Sequence, residues 1–263
     1  GALAWLDSIL ANRIPKKMGR IALCHLLTKH GGVRAEFTVY EWAPGRFYLV
    51  SAGAYERHDH DTLYKLLPKD GSVKLNPITT RLGVLVLAGP NARKVLQKLT
   101  TADLSNEAFP WLSGQAISVG HASCHVLRVN FVGELGFEFH HPIEQQVALF
   151  DLLMEAGREF GIKPYGIKAM SSLSIEKSYR LVPRELSIEY SAYESGLDRF
   201  VHPNKGQFLG RDALVAGREK EFCHHGSSWC HRCGFGYAGL RAHLLQGQAC
   251  GPCHQWRLWL AGE

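Results

Sequence analysis

The composition of the chain changes abruptly near residue 221. Residues 222–263 hold five of the seven cysteines, five of the fourteen histidines and three of the six tryptophans, yet contain no Val, Ile, Thr, Asp, Asn, Lys or Met. A folded segment of this length normally carries β-branched apolar residues, and this one has neither helix nor strand periodicity. We therefore expect residues 1–221 to form the folded domain and residues 222–263 to form a poorly structured tail.

Two interpretations of this tail are open. The spacing Cys230-x2-Cys233-x16-Cys250-x2-Cys253 matches a zinc ribbon, in which two CxxC turns supply four thiolates to one metal ion. Alternatively, the tail is translated in the wrong reading frame. Read from the second base of each codon, residues 239–251 permit Gly-Ser-Glu-Pro-Ile-Tyr-Tyr-Lys-Gly-Lys-Arg-Val-Gly, and residues 251–256 permit Gly-Arg-Ala-Thr-Ser-Gly. This continuous pattern of strand, turn and strand favours a frame-shifted origin.

The remaining composition excludes several classes of protein. Of the 263 residues, 46% are hydrophobic and 21% are charged, which is typical of a globular chain and excludes wholesale disorder. The sequence contains no run of about 18 apolar residues, so it predicts no membrane span. The net charge of +6 is scattered without a basic run, so we expect no nucleic-acid partner. The chain begins with Gly1-Ala2 and shows no signal peptide, which resembles the inside of a longer protein.

The order of the predicted elements in residues 1–221 indicates an α+β fold. Apolar residues at helical spacing predict helices over 2–10, after Gly89-Pro90, over 142–160 and over 165–179. Alternation and short apolar runs predict strands over 34–42, 47–52 and 82–87, the last of them buried, and a hairpin formed by 124–130 and 135–140.

Polar residues that could carry chemistry occur in three segments. Glu36 opens a strand after two glycines, so its carboxylate could point into a cleft or could be a surface acid beside a turn. In residues 133–138, glycines flank Glu134 and would let a flat ligand approach the backbone. Glu134 and Glu138 share strand parity, and a carboxylate offers two acceptors to a planar N–H/NH2 edge; the alternative is a solvated hairpin tip. Glu176 and Arg180 have the spacing of a helix-surface pair.

The two cysteines of the domain, Cys24 and Cys124, have no obvious partner in the sequence. Free thiols in a segment otherwise poor in cysteine are typical of a reducing compartment. We expect neither to act as a nucleophile, since no histidine stands at a spacing that predicts a catalytic dyad.

These segments, in this order, resemble the glycine-cleavage T-protein (aminomethyltransferase) superfamily. More narrowly, they are similar to the folate-binding C-terminal half of dimethylglycine and sarcosine dehydrogenase-like flavoproteins. The match covers nearly all of residues 1–221 and is carried by residues 82–100, 133–138, 169–170, 175–177, 194–197 and 208–214. It implies two mixed α/β subdomains and a third β subdomain around a central opening that binds tetrahydrofolate.

The resemblance also implies roles for individual residues. Glu134 matches the pterin-binding glutamate of the motif Gly-Glu-x-Gly-[Phe/Tyr]-Glu, and Phe137, Glu138 and Tyr165 are implied folate contacts. Glu36 falls where the family has an acidic residue near the reacting folate nitrogen, which implies a catalytic role. In such enzymes the folate accepts the one-carbon unit released from an oxidised N-methyl amine, giving 5,10-methylenetetrahydrofolate.

The chain also departs from the family pattern. Ser174 replaces an arginine of the helix and leaves Glu176 without that partner, which would be costly for a buried carboxylate. The FAD-binding half is absent, and we expect the third β subdomain to be missing or disordered. This predicts a fragment of a mitochondrial-matrix or bacterial cytoplasmic enzyme that binds tetrahydrofolate weakly or not at all. A non-enzymatic zinc-binding or partner-binding protein and a non-functional remnant stay open as alternatives.

Overall fold

The fold is known from a computed structural model that describes residues 1–183 and 185–217 and, beyond them, the backbone of two short paired strands, Leu244–Leu245 and Gln248–Ala249. Two antiparallel sheets organise the described domain. The first has the order β1-β2-β3, formed by β1 (Ile21–Leu27), β2 (Val33–Ala43) and β3 (Arg46–Val50). The second has the order β4-β7-β6-β5, formed by β4 (Leu82–Ala88), β5 (Gly114–Val119), β6 (Ala122–Leu127) and β7 (Gly136–Pro142).

Short helices accompany both sheets. They are α1 (Ala2–Ile9), α2 (Glu56–Lys65), α3 (Ala92–Gln97), α4 (Gln146–Gly157), α5 (Ile167–Glu176) and α6 (Arg211–Gly217). Because the sheets are antiparallel and the helices are not interleaved as βαβ units, the architecture is α+β, which confirms the prediction. None of the helices in the described part of the chain is long and apolar enough to cross a lipid bilayer.

The first sheet buries one face against α1 and α2. Alternation along β2 turns Ala35, Phe37 and Val39 to this side, where they pack with Leu6 of α1 and Leu63 of α2. Burying one Phe or Leu side chain contributes about 1.5–3 kcal/mol, so this cluster fixes which face of β2 is turned away from the helices. That second face carries Glu36.

The second sheet is built on the same plan. Phe137 and Phe139 of β7 share a core with Leu96 of α3 and with Leu149 and Leu153 of α4. The helix predicted over 142–160 is confirmed by α4 and the 3-10 turns on either side of it. The predicted hairpin is also confirmed, because β6 and β7 pair antiparallel. The alternate residues of β7, Glu138 and His140, lie on the opposite face.

The two sheets meet through these opposite faces. Trp42 stacks on Tyr48 at 5.0 Å between ring centroids and on His125 of the second sheet at 4.8 Å. Tyr48 also contacts His140, again across the two sheets. We call the set Tyr40, Trp42, Tyr48, His125 and His140 the aromatic seam. It packs the two predicted mixed α/β subdomains together.

A third apolar cluster joins residues 182–214 to the first sheet. Leu186, Tyr193 and Leu197 pack with Leu27 of β1 and Val33 of β2. This segment thus covers the end of the first sheet at which β2 begins. It places Phe200 against His25 of β1, the strand that pairs with the strand carrying Glu36.

Some expectations about the elements were wrong. Residues 82–87 do form a strand, but β4 is an edge strand, and Val84 and Val86 are 44% and 41% exposed instead of buried. The strands β1 and β5 and the helices α2 and α6 were not predicted. The predicted tail over 222–263, its frame-shifted origin and the third β subdomain fall outside the described residues, apart from the backbone of the two short strands.

Candidate active site on two facing sheets

Glu36 lies on the face of β2 that also carries Tyr40 and Trp42 of the aromatic seam. It is separated from Tyr40 by four residues, about 13 Å along an extended strand at 3.3 Å per residue. Its side chain is 22% exposed, and its Oε2 lies 2.9 Å from Nε2 of His25, which is fully buried. The register of the first sheet sets this pair, since His25 stands directly opposite Glu36.

The environment of His25 leaves one ring nitrogen without a partner. Among the described residues, no hydrogen-bond partner contacts its buried Nδ1, and the ring packs against Phe200 at 5.8 Å. With an ionised Glu36 as acceptor, Nε2 is the protonated nitrogen and donates to the carboxylate. The Glu36 carboxylate is therefore partly exposed to solvent and accepts a hydrogen bond from a buried histidine.

Glu138 has a parallel arrangement on the second sheet. Its side chain is 21% exposed, and its Oε2 lies 3.4 Å from Nε2 of His140, two residues along the same face of β7 and fully buried. Tyr165, in the loop before α5, is close enough to Glu138 for the carboxylate charge to affect its phenol. Partial burial and the charge of Glu138 raise the pKa of the Tyr165 phenol. The folate contacts predicted at Glu138 and Tyr165 stay predictions.

The structure shows a packing role for the two glycines that stand on either side of Glu134. Both glycines around Glu134 are closely covered from within the protein. A Cβ at Gly133 would lie 2.1 Å from Cγ of Lys177, and one at Gly136 would lie 2.7 Å from Cβ of Asn130. These glycines thus permit internal packing on the side where a Cβ would stand, and the approach of a flat ligand to this backbone stays a prediction.

Glu134 itself is exposed and precedes the first residue of β7, so it does not share strand parity with Glu138 as predicted. The Asn130 side chain shapes this loop. Its Oδ1 accepts from the backbone N–H groups of Val132 and Gly133, and its Nδ2 donates to the Glu134 carbonyl. The carboxylate stands at the tip of an ordered turn beside the strand of Glu138.

Phe137 is placed away from the candidate site. Its side chain is fully buried and packs against Phe109, with ring centroids 5.7 Å apart, on the face of β7 opposite to Glu138. The expected ligand contact of its ring is inconsistent with this burial, so we assign Phe137 to the core.

Glu176 was expected to be a buried carboxylate left without a cation by Ser174, and the structure shows that it is not buried. Ser174 is buried and its hydroxyl donates to the Ser171 carbonyl at 2.9 Å, while Glu176 is exposed and needs no buried cation. Within the described residues, no ion pair joins Glu176 to Arg180. The Arg180 guanidinium instead packs against Gly196.

The domain's cysteines are buried thiols. Burial raises the pKa of Cys24 to about 12 and that of Cys124 to about 11. Neither forms a disulfide, and neither has the depressed pKa of a nucleophile. In the part of the chain that the structure describes, no cluster of His, Cys, Asp and Glu could hold a metal ion. The alternative zinc ligands Cys230, Cys233, Cys250 and Cys253 lie outside it.

Sequence reasoning missed the two buried histidines that contact Glu36 and Glu138. His25 stands in the otherwise apolar run Ile21–Leu27, and His140 continues the alternation of Phe137, Glu138 and Phe139. Both are signals of a polar group on a packed strand. Their partners depend on strand register and packing, which the sequence pattern alone does not supply.

Comparison with known proteins identifies the family of the chain. The model of the GCVT N-terminal domain matches residues 1–205. Mitochondrial dimethylglycine dehydrogenase from Homo sapiens is 42% identical over 211 residues, covering 80% of this chain and 24% of the relative. An aminomethyltransferase from Thermoanaerobacter sp. (strain X514) is 33% identical over 224 residues, covering 83% and 59%. Mitochondrial sarcosine dehydrogenase from Mus musculus is 34% identical over 233 residues, covering 82% and 25%.

The fold is shared with a solved structure of glycine cleavage system aminomethyltransferase T from Bartonella henselae. The TM-score is 0.69 at 23% sequence identity, over 82% of this chain and 57% of that one. The chain spans about a quarter of the length of the dehydrogenases and about three fifths of the aminomethyltransferase. The predicted family and fold are confirmed: this chain belongs to the GCVT N-terminal domain family.

Proposed function

We propose that this chain is the tetrahydrofolate-binding, one-carbon transfer domain of a demethylating enzyme of the dimethylglycine or sarcosine dehydrogenase type. One observation carries the proposal. Two partly exposed carboxylates, Glu36 and Glu138, occupy the faces of the two sheets that share the aromatic seam, and a fully buried histidine backs each of them. Carboxylates fixed in this way can hold an amine-rich ligand between two lobes.

The acceptors available suit a pterin. A carboxylate pairs with a planar N–H/NH2 edge through two hydrogen bonds, and Glu138 is the proposed partner of that edge. Tyr165, whose phenol senses the charge of Glu138, offers an aromatic surface that is 42% exposed. Glu134, at the tip of the preceding turn, supplies a second carboxylate. Tetrahydrofolate, when bound, contributes the nucleophilic nitrogen atoms that accept the one-carbon unit.

Glu36 is the proposed catalytic residue. The hydrogen bond from His25 holds one carboxylate oxygen, which leaves the other free to accept from a substrate N–H. From that position the carboxylate orients the attacking amine and stabilises positive charge that develops on nitrogen. Oxidation of the methylated amine, with FAD, would take place in another part of a longer enzyme, since this chain matches a quarter of the dehydrogenases.

We further propose that folate binding is impaired in this polypeptide. The composition of residues 222–263, which contain no Val, Ile or Thr, supports this proposal, because it is atypical of the third β subdomain that the family resemblance implies. The names of the relatives, from mitochondria and from bacteria, are consistent with either location for the parent enzyme.

Saturation-transfer NMR with millimolar tetrahydrofolate, kept reduced with ascorbate, tests both parts of the proposal. We expect transfer to the pterin protons with an affinity weaker than micromolar. Glu138→Gln should reduce the transfer, whereas Glu144→Gln, an exposed acid just after the same strand, should not. No transfer to the pterin would contradict the folate site, and micromolar or tighter affinity would contradict the impairment.

The four-cysteine spacing of the tail supports one alternative function, a structural zinc site. Elemental analysis of the purified full chain distinguishes the two. One tightly held zinc ion per chain, lost in Cys230→Ser and Cys253→Ser, would favour the non-enzymatic alternative.

A further inference from the structure

A chain of three polar groups crosses the boundary between the two sheets. The hydroxyl of Tyr48, on β3 of the first sheet, lies 3.1 Å from Nδ1 of His140 on β7 of the second. Nε2 of the same imidazole lies 3.4 Å from Oε2 of Glu138. Tyr48 and His140 are separated by 92 residues in sequence, so this contact depends on how the two lobes pack.

The chemistry of the three groups allows one consistent arrangement of protons. An ionised Glu138 only accepts hydrogen bonds, so Nε2 of His140 must be the protonated nitrogen that donates to it. In a neutral imidazole Nδ1 is then the acceptor, and the Tyr48 hydroxyl donates to it. Burial and the charge of Glu138 raise the pKa of Tyr48 to about 12, so the phenol keeps its proton at neutral pH.

The surroundings hold Tyr48 in place for this role. Its ring lies nearly parallel to Trp42, with an interplanar angle of 19°, and meets the His140 ring edge-on at 88°. Trp42 is in turn stacked on His125 of the second sheet. These contacts hold the ring that carries the hydroxyl.

We propose that Tyr48 and His140 are positioning residues for Glu138: the tyrosine of the first sheet fixes the tautomer of the histidine, which presents its N–H to the ligand-binding carboxylate of the second sheet. The inference rests on the proposed function, in which Glu138 holds the pterin. It adds that Glu138, the proposed folate-binding carboxylate of the second sheet, is oriented by Tyr48 of the first sheet. Correct packing of the two lobes is therefore a condition for binding.

Tyr48→Phe is the informative substitution, because it keeps the stacked ring and removes only the donor. Without that donor, Nδ1 can take the proton, and Nε2 then turns a lone pair toward Glu138. We expect the 15N shifts of His140 to change from those of a single Nε2–H tautomer to those of a mixture. The affinity for tetrahydrofolate should fall roughly three- to tenfold, the worth of one net hydrogen bond.

The experiment uses the full chain with 15N-labelled histidine, and the His140 signals are assigned by their loss in His140→Gln. Tyr64→Phe, at a tyrosine that is 64% exposed on α2, is the matched control and should change neither shifts nor affinity. If Tyr48→Phe misfolds, the unaltered chain gives a second test, because its His140 must then show the 15N shifts of a single Nε2–H tautomer.

Unchanged His140 shifts in Tyr48→Phe, or the shifts of an Nδ1–H tautomer in the unaltered chain, would overturn the inference. So would a Tyr48→Phe chain with altered shifts and wild-type affinity, since the tautomer would then not govern the ligand. If the unaltered chain fails to bind tetrahydrofolate, the proposed function fails, while the nitrogen shifts still decide whether Tyr48 sets the state of His140.

Discussion

Gly32 directly precedes β2, the strand that carries Glu36, and its backbone packs closely against the backbone of Ile188. An alanine Cβ at position 32 would stand 2.0 Å from the carbonyl oxygen of Ile188 and 2.6 Å from its carbonyl carbon. The atoms that it would strike belong to the backbone of a segment that is itself tied to β2. The N–H of Val33 donates to the carbonyls of Ser187 and Tyr190, at 3.0 and 3.1 Å.

The size of the effect follows from these distances. Real Cβ contacts do not fall below 3.0 Å, so the two backbones must separate by about 1 Å, from 2.0 to at least 3.0 Å. Overpacking against side chains that can move costs about 1–3 kcal/mol. Here the separation also strains backbone hydrogen bonds, each worth about 1 kcal/mol. We therefore expect Gly32→Ala to lower the free energy of unfolding by about 3–5 kcal/mol.

Two further substitutions isolate the cause. A Cβ at Gly53 would meet nothing within 4 Å, and the backbone there has no positive φ, so Gly53→Ala should stay within about 0.5 kcal/mol. Gly31 has φ +86° but only ordinary contacts from 3.5 Å outward, so Gly31→Ala should cost about 1 kcal/mol from backbone strain. Urea unfolding of the full chain, followed by far-ultraviolet circular dichroism, ranks the three. The reasoning is refuted if Gly32→Ala unfolds at the same urea concentration as Gly53→Ala.

Three other predictions follow from the buried groups. Phe137→Ala should lower the free energy of unfolding by about 3–5 kcal/mol, as expected of a core phenylalanine; a nearly unchanged urea midpoint would contradict its assignment to the core. Burial and the neighbouring His140 lower the pKa of His125, so below about pH 6.5 the unfolded chain binds more protons than the folded one and stability falls as the pH falls. His125→Gln should flatten that fall, measured as the melting temperature between pH 7.5 and 5.5, and an unaltered profile would argue against it. Because burial raises the pKa of Cys24 to about 12 and of Cys124 to about 11, peptide-mapped alkylation by iodoacetamide at pH 8 should spare both thiols until urea unfolds the chain; rapid native labelling of either would contradict the burial.

Elements with a clear period could be predicted from the sequence, and elements without one could not. The strand β2 alternates, and α4 repeats its apolar residues at helical spacing, so both were found. The strand β1 is an apolar run interrupted by one histidine, and such a run shows no alternation of apolar and polar residues. In α2 only Asp59 and Leu63 are buried, too few to mark a face. These two elements owe their form to the packing of the first core and not to a local signal.

The candidate site divides in the same way. Glu36 and Glu138 could be singled out because acids beside glycines in strands are visible in the sequence and match a family motif. Their partners could not, because His25 stands opposite Glu36 only through the register of β1 on β2. A slip of one residue would turn His25 to the helix-covered face and leave a charged carboxylate without its donor. Tyr48 reaches His140 only when the two sheets are packed. The acids are thus local features of the sequence, whereas the groups that orient them arise from register and from the docking of two lobes, so a substitution that loosens either should weaken the site without touching a carboxylate.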